Sequence, residues 1–182
     1  SQSFEITGAS IGLAKRLRIP DDYFTLSQSL AYQYYNLNNY YTGLFPFGDG
    51  SSNNLSYTVA LSRNNTFTNP IFPLGGSEFV LSARFSLPYS LWNGVDYANL
   101  GDLEKFQDDD GNPDPAKIEQ EKFKWLEFYK IKFKGSWYTR LFDKLVLRTH
   151  TEFGFLGAFN NDRGVIPFDR FFLGGDGMSQ YA

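Results

Sequence analysis

The sequence contains one histidine, and its neighbours decide what chemistry it could do. Arg148 and Glu152 stand two positions before and after His150, so all three side chains would share one face of an extended strand. A histidine beside a carboxylate could serve in general acid–base catalysis. Mixed charges on alternate positions are also typical of the lining of a polar β-barrel. We favour that lining role over a barrel enzyme that uses His150.

The acidic run at residues 108–114 raises the question of a calcium site. An EF-hand loop needs oxygen ligands on alternate positions before its central glycine and a glutamate six residues after it. If Gly111 were that glycine, Phe106 and Lys117 would stand at the first and last ligand positions. The match therefore fails, and the run is typical of a solvated loop. We predict no metal and no cofactor.

A basic stripe at Lys130, Lys132 and Lys134 raises the question of nucleic acid. The aromatic residues that alternate with these lysines fall on the opposite face of a strand, so they cannot form a stacking platform beside them. The formal net charge of the chain is −3, whereas a nucleic-acid-binding domain usually carries a basic patch on a basic background. Nucleic acid is therefore not a predicted partner.

Extended strands would have to position these side chains, because apolar and polar residues alternate with period two in six segments. The segments lie near residues 4–16, 24–34, 55–62, 78–87, 129–137 and 145–155. We expect one parity to face lipid, namely Phe24, Leu26, Leu30, Leu81, Phe85, Ile131, Phe133 and Leu147. We expect the other parity to line the lumen of a barrel, namely Ser27, Ser82, Arg84, Lys132, Arg148, His150 and Glu152.

Composition favours a membrane for these strands. Aromatic residues form 19% of the chain, yet the mean hydropathy is −0.37 and no run approaches the roughly 20 apolar residues of a transmembrane helix. A membrane strand needs only about 9–11 residues and alternates its apolar face with polar residues. There are no cysteines, which excludes disulfides. A soluble β-sandwich or barrel is the alternative with the same periodicity, but these segments are longer than the usual soluble strand.

The connections alternate between short and long, as they do in outer-membrane barrels. We predict long extracellular loops at about 36–54 and 90–124, and compact periplasmic turns elsewhere, including a two-residue turn at Asp143-Lys144. Residues from about 160 to 182 lose the alternation but keep many large apolar side chains, too many for a freely solvated loop. We expect that stretch to fold inward into the barrel. The predicted fold is an all-β, antiparallel transmembrane β-barrel segment of about six strands.

Two stretches resemble the BamA-type family of outer-membrane barrel-assembly proteins. The first reads Asn69-Pro70-Ile71-Phe72-Pro73-Leu74-Gly75-Gly76-Ser77 and resembles the family's F-P-x-x-G-S turn, which an alternating strand follows. The second reads Pro167-Phe168-Asp169-Arg170-Phe171-Phe172-Leu173-Gly174-Gly175 and resembles the P-F-x-x-F-x-x-G-G motif that opens the family's large inward-folded loop. Two predicted strands separate them, as in the family. The Asn- and Tyr-rich loops resemble the Bacteroidetes-type version.

The resemblance implies a role and a set of positions. It implies a sixteen-stranded barrel of which residues 1–182 form a middle piece, without the periplasmic receiving domains, the gate strands or the V-R-G-F tetrapeptide. Pro73, Gly76 and Ser77 would form a periplasmic turn, and the residues that open the lumen loop would be Phe171, Phe172, Gly174 and Gly175. The implied function is folding and inserting β-barrel proteins in the bacterial outer membrane, without catalysis.

The partners implied by the resemblance are outer-membrane lipids, the remaining strands of the same barrel, accessory subunits of an assembly complex and nascent outer-membrane proteins as clients. Two alternatives remain open from the residues alone. A porin-like or nutrient-uptake barrel would explain the strands but not the paired motifs. A barrel enzyme would need His150 or a pair of acidic residues as its catalytic groups.

Overall fold

The described part of the chain is dominated by one antiparallel β-sheet. The computed structural model describes residues 2–40, 47–66 and 73–164. Its strands are β1 (Ser3–Leu17), β2 (Phe24–Asn38), β3 (Gly50–Asn64), β4 (Gly76–Ser86), β5 (Tyr129–Phe142) and β6 (Leu145–Gly157). They lie in the sheet in chain order, from β1 at one edge to β6 at the other. The predicted all-β class and the six antiparallel strands are confirmed.

The register aligns the alternation of all six strands. Across the middle of the sheet, Ser27 pairs with Ala60, Ala60 with Ser82, and Ser82 with Lys132. The next row joins Leu26, Leu61, Leu81, Phe133 and Phe153. Because directly paired residues point to the same side of a sheet, the small and charged residues form one face and the large apolar residues form the other. We call these the polar face and the apolar face.

The two edges of this sheet have no strand partner among the described residues. β1 carries 15 residues and β6 carries 13, and both leave one row of backbone N–H and C=O groups without a neighbouring strand. Such rows need pairing in a hydrocarbon environment, where an unsatisfied backbone group costs several kcal/mol. The sheet is thus an open segment whose geometry suits continuation at both edges.

The connections at one end of the sheet are residues 18–23, 65–75 and 143–144, and those at the other end are residues 39–49 and 87–128. The β2–β3 connection is thus no longer than the β3–β4 connection, and the β4–β5 connection is much the longest. At the short-turn end, Asp143 and Lys144 form the predicted two-residue turn between β5 and β6. The opposite end carries the connections β2–β3 and β4–β5, and we call it the long-connection end. The predicted loop at 36–54 is too wide, because β2 continues to Asn38 and β3 already begins at Gly50. These strand ends are rich in Asn and Ser, so apolar and polar residues do not alternate there and the sequence pattern did not indicate a strand.

The β4–β5 connection, residues 87–128, is a folded unit rather than the plain solvated loop predicted at 90–124. It contains short 3₁₀ turns and the helix α1 (Pro115–Phe123). The Asp114 side chain accepts hydrogen bonds from the Ala116 and Lys117 amides, and Pro115 stands at the first position. An aspartate cap followed by proline is a standard helix start. None of the helices in the described ranges is long and apolar enough to cross a membrane.

Candidate functional site: the polar face and its cover

The predicted lumen-lining residues of β5 and β6 meet in one network on the polar face. Lys132 Nζ lies 3.1 Å from Glu152 Oε1, and Lys134 Nζ lies 3.8 Å from Glu152 Oε2. These side chains are between 43% and 58% exposed, so solvent screens the ion pairs and each one stabilises the fold only modestly. Glu152 of β6 is therefore shared by two lysines of the neighbouring strand β5.

His150 lies at the end of this network, towards the short turns. Its Nδ1 is 2.9 Å from Ser136 Oγ, and its Nε2 is 3.8 Å from Glu152 Oε2. The second distance is too long for a hydrogen bond, and Glu152 is already engaged by Lys132. A serine nucleophile needs a base that a third group orients through hydrogen bonds. The Ser136–His150–Glu152 grouping lacks that orientation and is better described as a polar lining.

Arg148 completes the lining next to Ser136. Its Nη2 donates to Ser136 Oγ at 3.3 Å, and its guanidinium carbon lies 5.8 Å from the centre of the Tyr138 ring. Arg148, His150, Ser136, Lys134 and Glu78 all line one depression of about 390 Å³ on this part of the sheet. The depression carries both signs of charge, as an aqueous barrel interior does.

Arg84 lies farther along the polar face, where the β4–β5 connection begins to cover it. Its Nε and Nη2 donate to Ser56 Oγ at 3.4 Å, and its guanidinium lies over the Phe128 ring at 5.4 Å from the ring centre. The five predicted lumen-lining residues (Arg84, Lys132, Arg148, His150 and Glu152) therefore share the polar face, but they do not converge on one point. Arg84 pairs with Lys130 of β5, next on this face to the pair of Ser82 and Lys132, and its side chain contacts Ser56 and Phe128.

The cover over the long-connection end of the polar face is a hydrophobic core that the sequence did not reveal. Phe47, Phe123, Leu126 and Phe128 pack there against Tyr35 and Leu37 of β2, and Phe4 and Leu156 flank them. Tyr35 and Leu37 stand at positions of β2 that point to the polar face. The polar face therefore becomes apolar at this end of the strand. Leu126 and Phe128 are 0% exposed. Apolar side chains that continue the polar parity were the signal that could have revealed this cover.

Hydrogen bonds fix the cover to β3. The Asn53 amide donates to Lys124 O at 2.8 Å, and the Leu126 amide donates to Asn53 O at 2.7 Å. Ser52 Oγ donates to Phe123 O at 2.5 Å. The bonds to Lys124 O and Phe123 O satisfy carbonyl groups at the end of α1 that have no partner within the helix, and the bond from Leu126 engages a carbonyl group of β3. A second small core of Tyr97, Leu100 and Phe106, with Val95 and Ile118 beside it, stabilises the outer part of the connection.

The short-turn end is tied together by Arg63. Its Nη2 lies 2.9 Å from Asp21 Oδ2, and its Nη1 donates to Ser77 Oγ at 2.9 Å. Asp21 belongs to the β1–β2 turn and Ser77 to the start of β4, so one guanidinium joins that turn to the first residues of β4. The arginine also lies over the ring of Phe24, 5.6 Å from its centre.

The predicted periplasmic turn residues fall partly on this tie. Ser77 N donates to Asn65 Oδ1 at 2.8 Å, which closes the β3–β4 connection. Gly76 has φ +96°, and a Cβ built there would lie 2.4 Å from Asn65 O. Only glycine fits that close approach with a positive φ. Pro73 is half-buried beside this start of β4, while Phe171, Phe172, Gly174 and Gly175 lie outside the described residues.

The fold and the two-faced sheet define the class of this protein. An antiparallel sheet with long strands, one apolar face and one polar face with mixed charges is a segment of a transmembrane β-barrel.

A family model for the Omp85 superfamily domain matches residues 2–179, and the chain belongs to that superfamily. The superfamily includes outer-membrane protein insertion factors, and the strand-rich chain fits an outer-membrane β-barrel. No curated protein was found to match the chain. The resemblance that two short motifs suggested is confirmed at the level of this family.

Proposed function

We propose that this chain is the middle part of the barrel of a BamA-type assembly factor, which folds and inserts β-barrel proteins into the bacterial outer membrane. The observation that carries the proposal is the Omp85 match over residues 2–179 on a single antiparallel sheet. Insertion of a new barrel requires strand edges in lipid that can pair with a nascent strand, because an unpaired backbone group there costs several kcal/mol. The chemistry needs neither a metal nor a nucleophile.

In this proposal the apolar face contacts lipid and the polar face lines the lumen of a sixteen-stranded barrel. Exposure of large apolar side chains supports the first part: Leu81 is 42% exposed, Leu147 is 50% exposed and Phe153 is 47% exposed. A soluble protein rarely exposes a continuous apolar surface of this kind without a partner for it. The covering connections lie on the polar face, as extracellular loops that fold over a lumen would.

The proposed orientation places the long-connection end outside the cell and the short-turn end in the periplasm. The long connections then form extracellular loops, and Pro73, Gly76 and Ser77 form a periplasmic turn. The stretch from about 160 to 182 folds inward, with Phe171, Phe172, Gly174 and Gly175 at the opening of the lumen loop. The partners are outer-membrane lipids, the remaining strands, accessory subunits and nascent outer-membrane proteins.

Depletion of the full-length protein in its native bacterium tests the function. The level of folded outer-membrane proteins, measured by heat-modifiable mobility, should fall, and a plasmid copy of the wild-type gene should restore it. A copy with Phe172→Ala and Gly175→Val should reach the membrane yet restore assembly poorly. Phe142→Ala serves as the matched control, because Phe142 is 71% exposed on β5.

The outcome also separates the alternatives. Unchanged levels of folded outer-membrane proteins after depletion would contradict an assembly role. If the purified full-length barrel then conducts ions through an open pore, a porin-like or nutrient-uptake role would replace it.

A further inference from the structure

Arg163 is a buried arginine just beyond the end of β6. It closes the short 3₁₀ turn Asn161–Arg163, and only 4% of its side chain is exposed. Its ionic partner is Glu127, whose side chain is 2% exposed and which precedes β5. A buried charge is costly unless it is paired and hydrogen-bonded. Each of these two side chains therefore needs the other to remain buried and charged.

Both carboxylate oxygens of Glu127 accept hydrogen bonds. Arg163 Nη1 donates to Oε2 at 2.9 Å, and the Ser90 amide donates to the same oxygen at 2.8 Å. Ser90 Oγ donates to Oε1 at 2.6 Å. The carboxylate therefore joins three parts of the chain: the start of the β4–β5 connection at Ser90, its end at Glu127, and the segment that follows β6 at Arg163.

The remaining nitrogen atoms of Arg163 bind carbonyl groups at the end of α1 and just beyond it. Nε donates to Lys122 O at 3.0 Å, and Nη2 donates to Lys122 O and Trp125 O. The guanidinium also lies over the Tyr97 ring, 4.9 Å from its centre. A cation at the carboxyl end of a helix is favourable because the free carbonyl groups there carry partial negative charge.

We propose that the Arg163–Glu127 pair positions the segment that leaves β6 against the β4–β5 connection, and that this placement controls the rate at which the protein assembles its clients. The pair fixes residues 158–163 to α1, and α1 is in turn bonded to β3 through Ser52 and Asn53. The exit of β6 and the cover of the polar face therefore move as one body. The part of the proposal that concerns assembly rests on the function proposed above.

The test uses the full-length protein in outer membranes, with spin labels at the exposed positions Ala116 and Asn161. In the wild type the distance distribution between the labels should be narrow. Arg163→Met and Glu127→Gln should each broaden it, and the Arg163→Met/Glu127→Gln double variant should be no broader than Arg163→Met alone, since Arg163→Met already removes the contact between the two residues. Lys105→Met, which removes an exposed charge from the same connection, should leave it unchanged.

The second readout is the rate of client assembly for each folded molecule of the assembly protein. We expect a loss of at least threefold in Arg163→Met and a smaller loss in Glu127→Gln, which keeps an acceptor for Ser90. A purely structural role would reduce the amount of folded protein but not the rate for each folded molecule. If Arg163→Met does not fold, Glu127→Gln still provides the comparison.

The outcomes distinguish the role of the Arg163–Glu127 pair from the proposed assembly function. Unchanged distances in both variants would overturn the positioning role, and broadened distances with an unchanged rate for each molecule would overturn the control of client assembly. If the wild-type gene itself supports no client assembly, the proposed function fails, and the distance measurements still decide whether the pair holds the two segments together.

Discussion

At the residue scale, polar groups on the apolar face find partners on neighbouring strands. Gln28 interrupts the apolar parity of β2, and Tyr57 Oη donates to its Oε1 at 2.7 Å. Tyr32 Oη donates to Asn53 Oδ1 at the same distance, nearer to the long connections. In the orientation proposed here this face contacts lipid, which offers no water to replace such bonds, so each polar group on it would depend on its protein neighbour.

This dependence gives a prediction for the Gln28–Tyr57 pair. Tyr57→Phe should lower the free energy of unfolding by about 1–3 kcal/mol, because it leaves the Gln28 amide without its partner on an apolar surface. The double variant Tyr57→Phe/Gln28→Leu should recover most of that loss, since both polar groups are then gone. Urea titration of the full-length barrel in liposomes measures both. A double variant less stable than Tyr57→Phe would contradict the pairing.

The turn residue Asp21 gives a prediction for pH. Desolvation by its surroundings raises the pKa of Asp21, but hydrogen bonds from Arg63 and the Tyr23 amide, with the charge of Arg63, outweigh it and hold the pKa below the ordinary 3.8. A lowered folded pKa stabilises the fold above the ordinary value, and that contribution is lost as the pH falls through the folded pKa.

The Arg63–Asp21 ion pair at the short-turn end should therefore persist on acidification to pH 3.8 and weaken only below it. Carbon-13 NMR of the Asp21 carboxyl group measures the titration directly. Arg63→Met should move the midpoint upward. A midpoint above 3.8 in the wild type, or one that does not respond to Arg63→Met, would show that the arginine does not control this carboxyl group.

At the element scale, the two faces of β4 should respond differently to the same charge. Leu81 lies on the apolar face in the middle of the sheet, and Ser82 lies next to it on the polar face. Leu81→Arg should cost about 2–4 kcal/mol, the usual cost of a cation on the lipid face near the midplane, while Ser82→Arg should cost little. Equal costs in the unfolding free energy, measured in liposomes, would show that the assignment of the faces is wrong.

At the scale of the whole molecule, the edges of the sheet limit what the six strands can do alone. A membrane barrel needs at least about eight strands, since open edges are excluded from hydrocarbon. We expect the 182-residue chain alone to give no protease-resistant, heat-modifiable species with liposomes. The full-length barrel under the same conditions is the control. Recovery of such a species from residues 1–182 alone would contradict the need for additional strands.

The strands and their faces could be predicted because they depend on local pattern. Leu81, Phe85, Ile131 and Phe133 alternate with polar residues, and a period of two assigns each to a face without knowledge of its neighbours. The start of α1 was also open to prediction, since Asp114 and Pro115 form a standard helix start. Its nine residues carry no strong apolar stripe, however, and the acidic run before it favoured a loop.

Only the tertiary structure decided which distant groups meet. Nothing near Arg163 in the sequence indicates that Glu127 neutralises it. Tyr35 and Leu37 indicate by their parity that the polar face is covered there, but nothing near them indicates that Phe128 covers it. These contacts join residues that are far apart in the chain, so their free energy depends on the register of six strands rather than on any local propensity. Alternation determined the sheet and its two faces, and the long-range packing of the connections determined the cover and the buried ion pair.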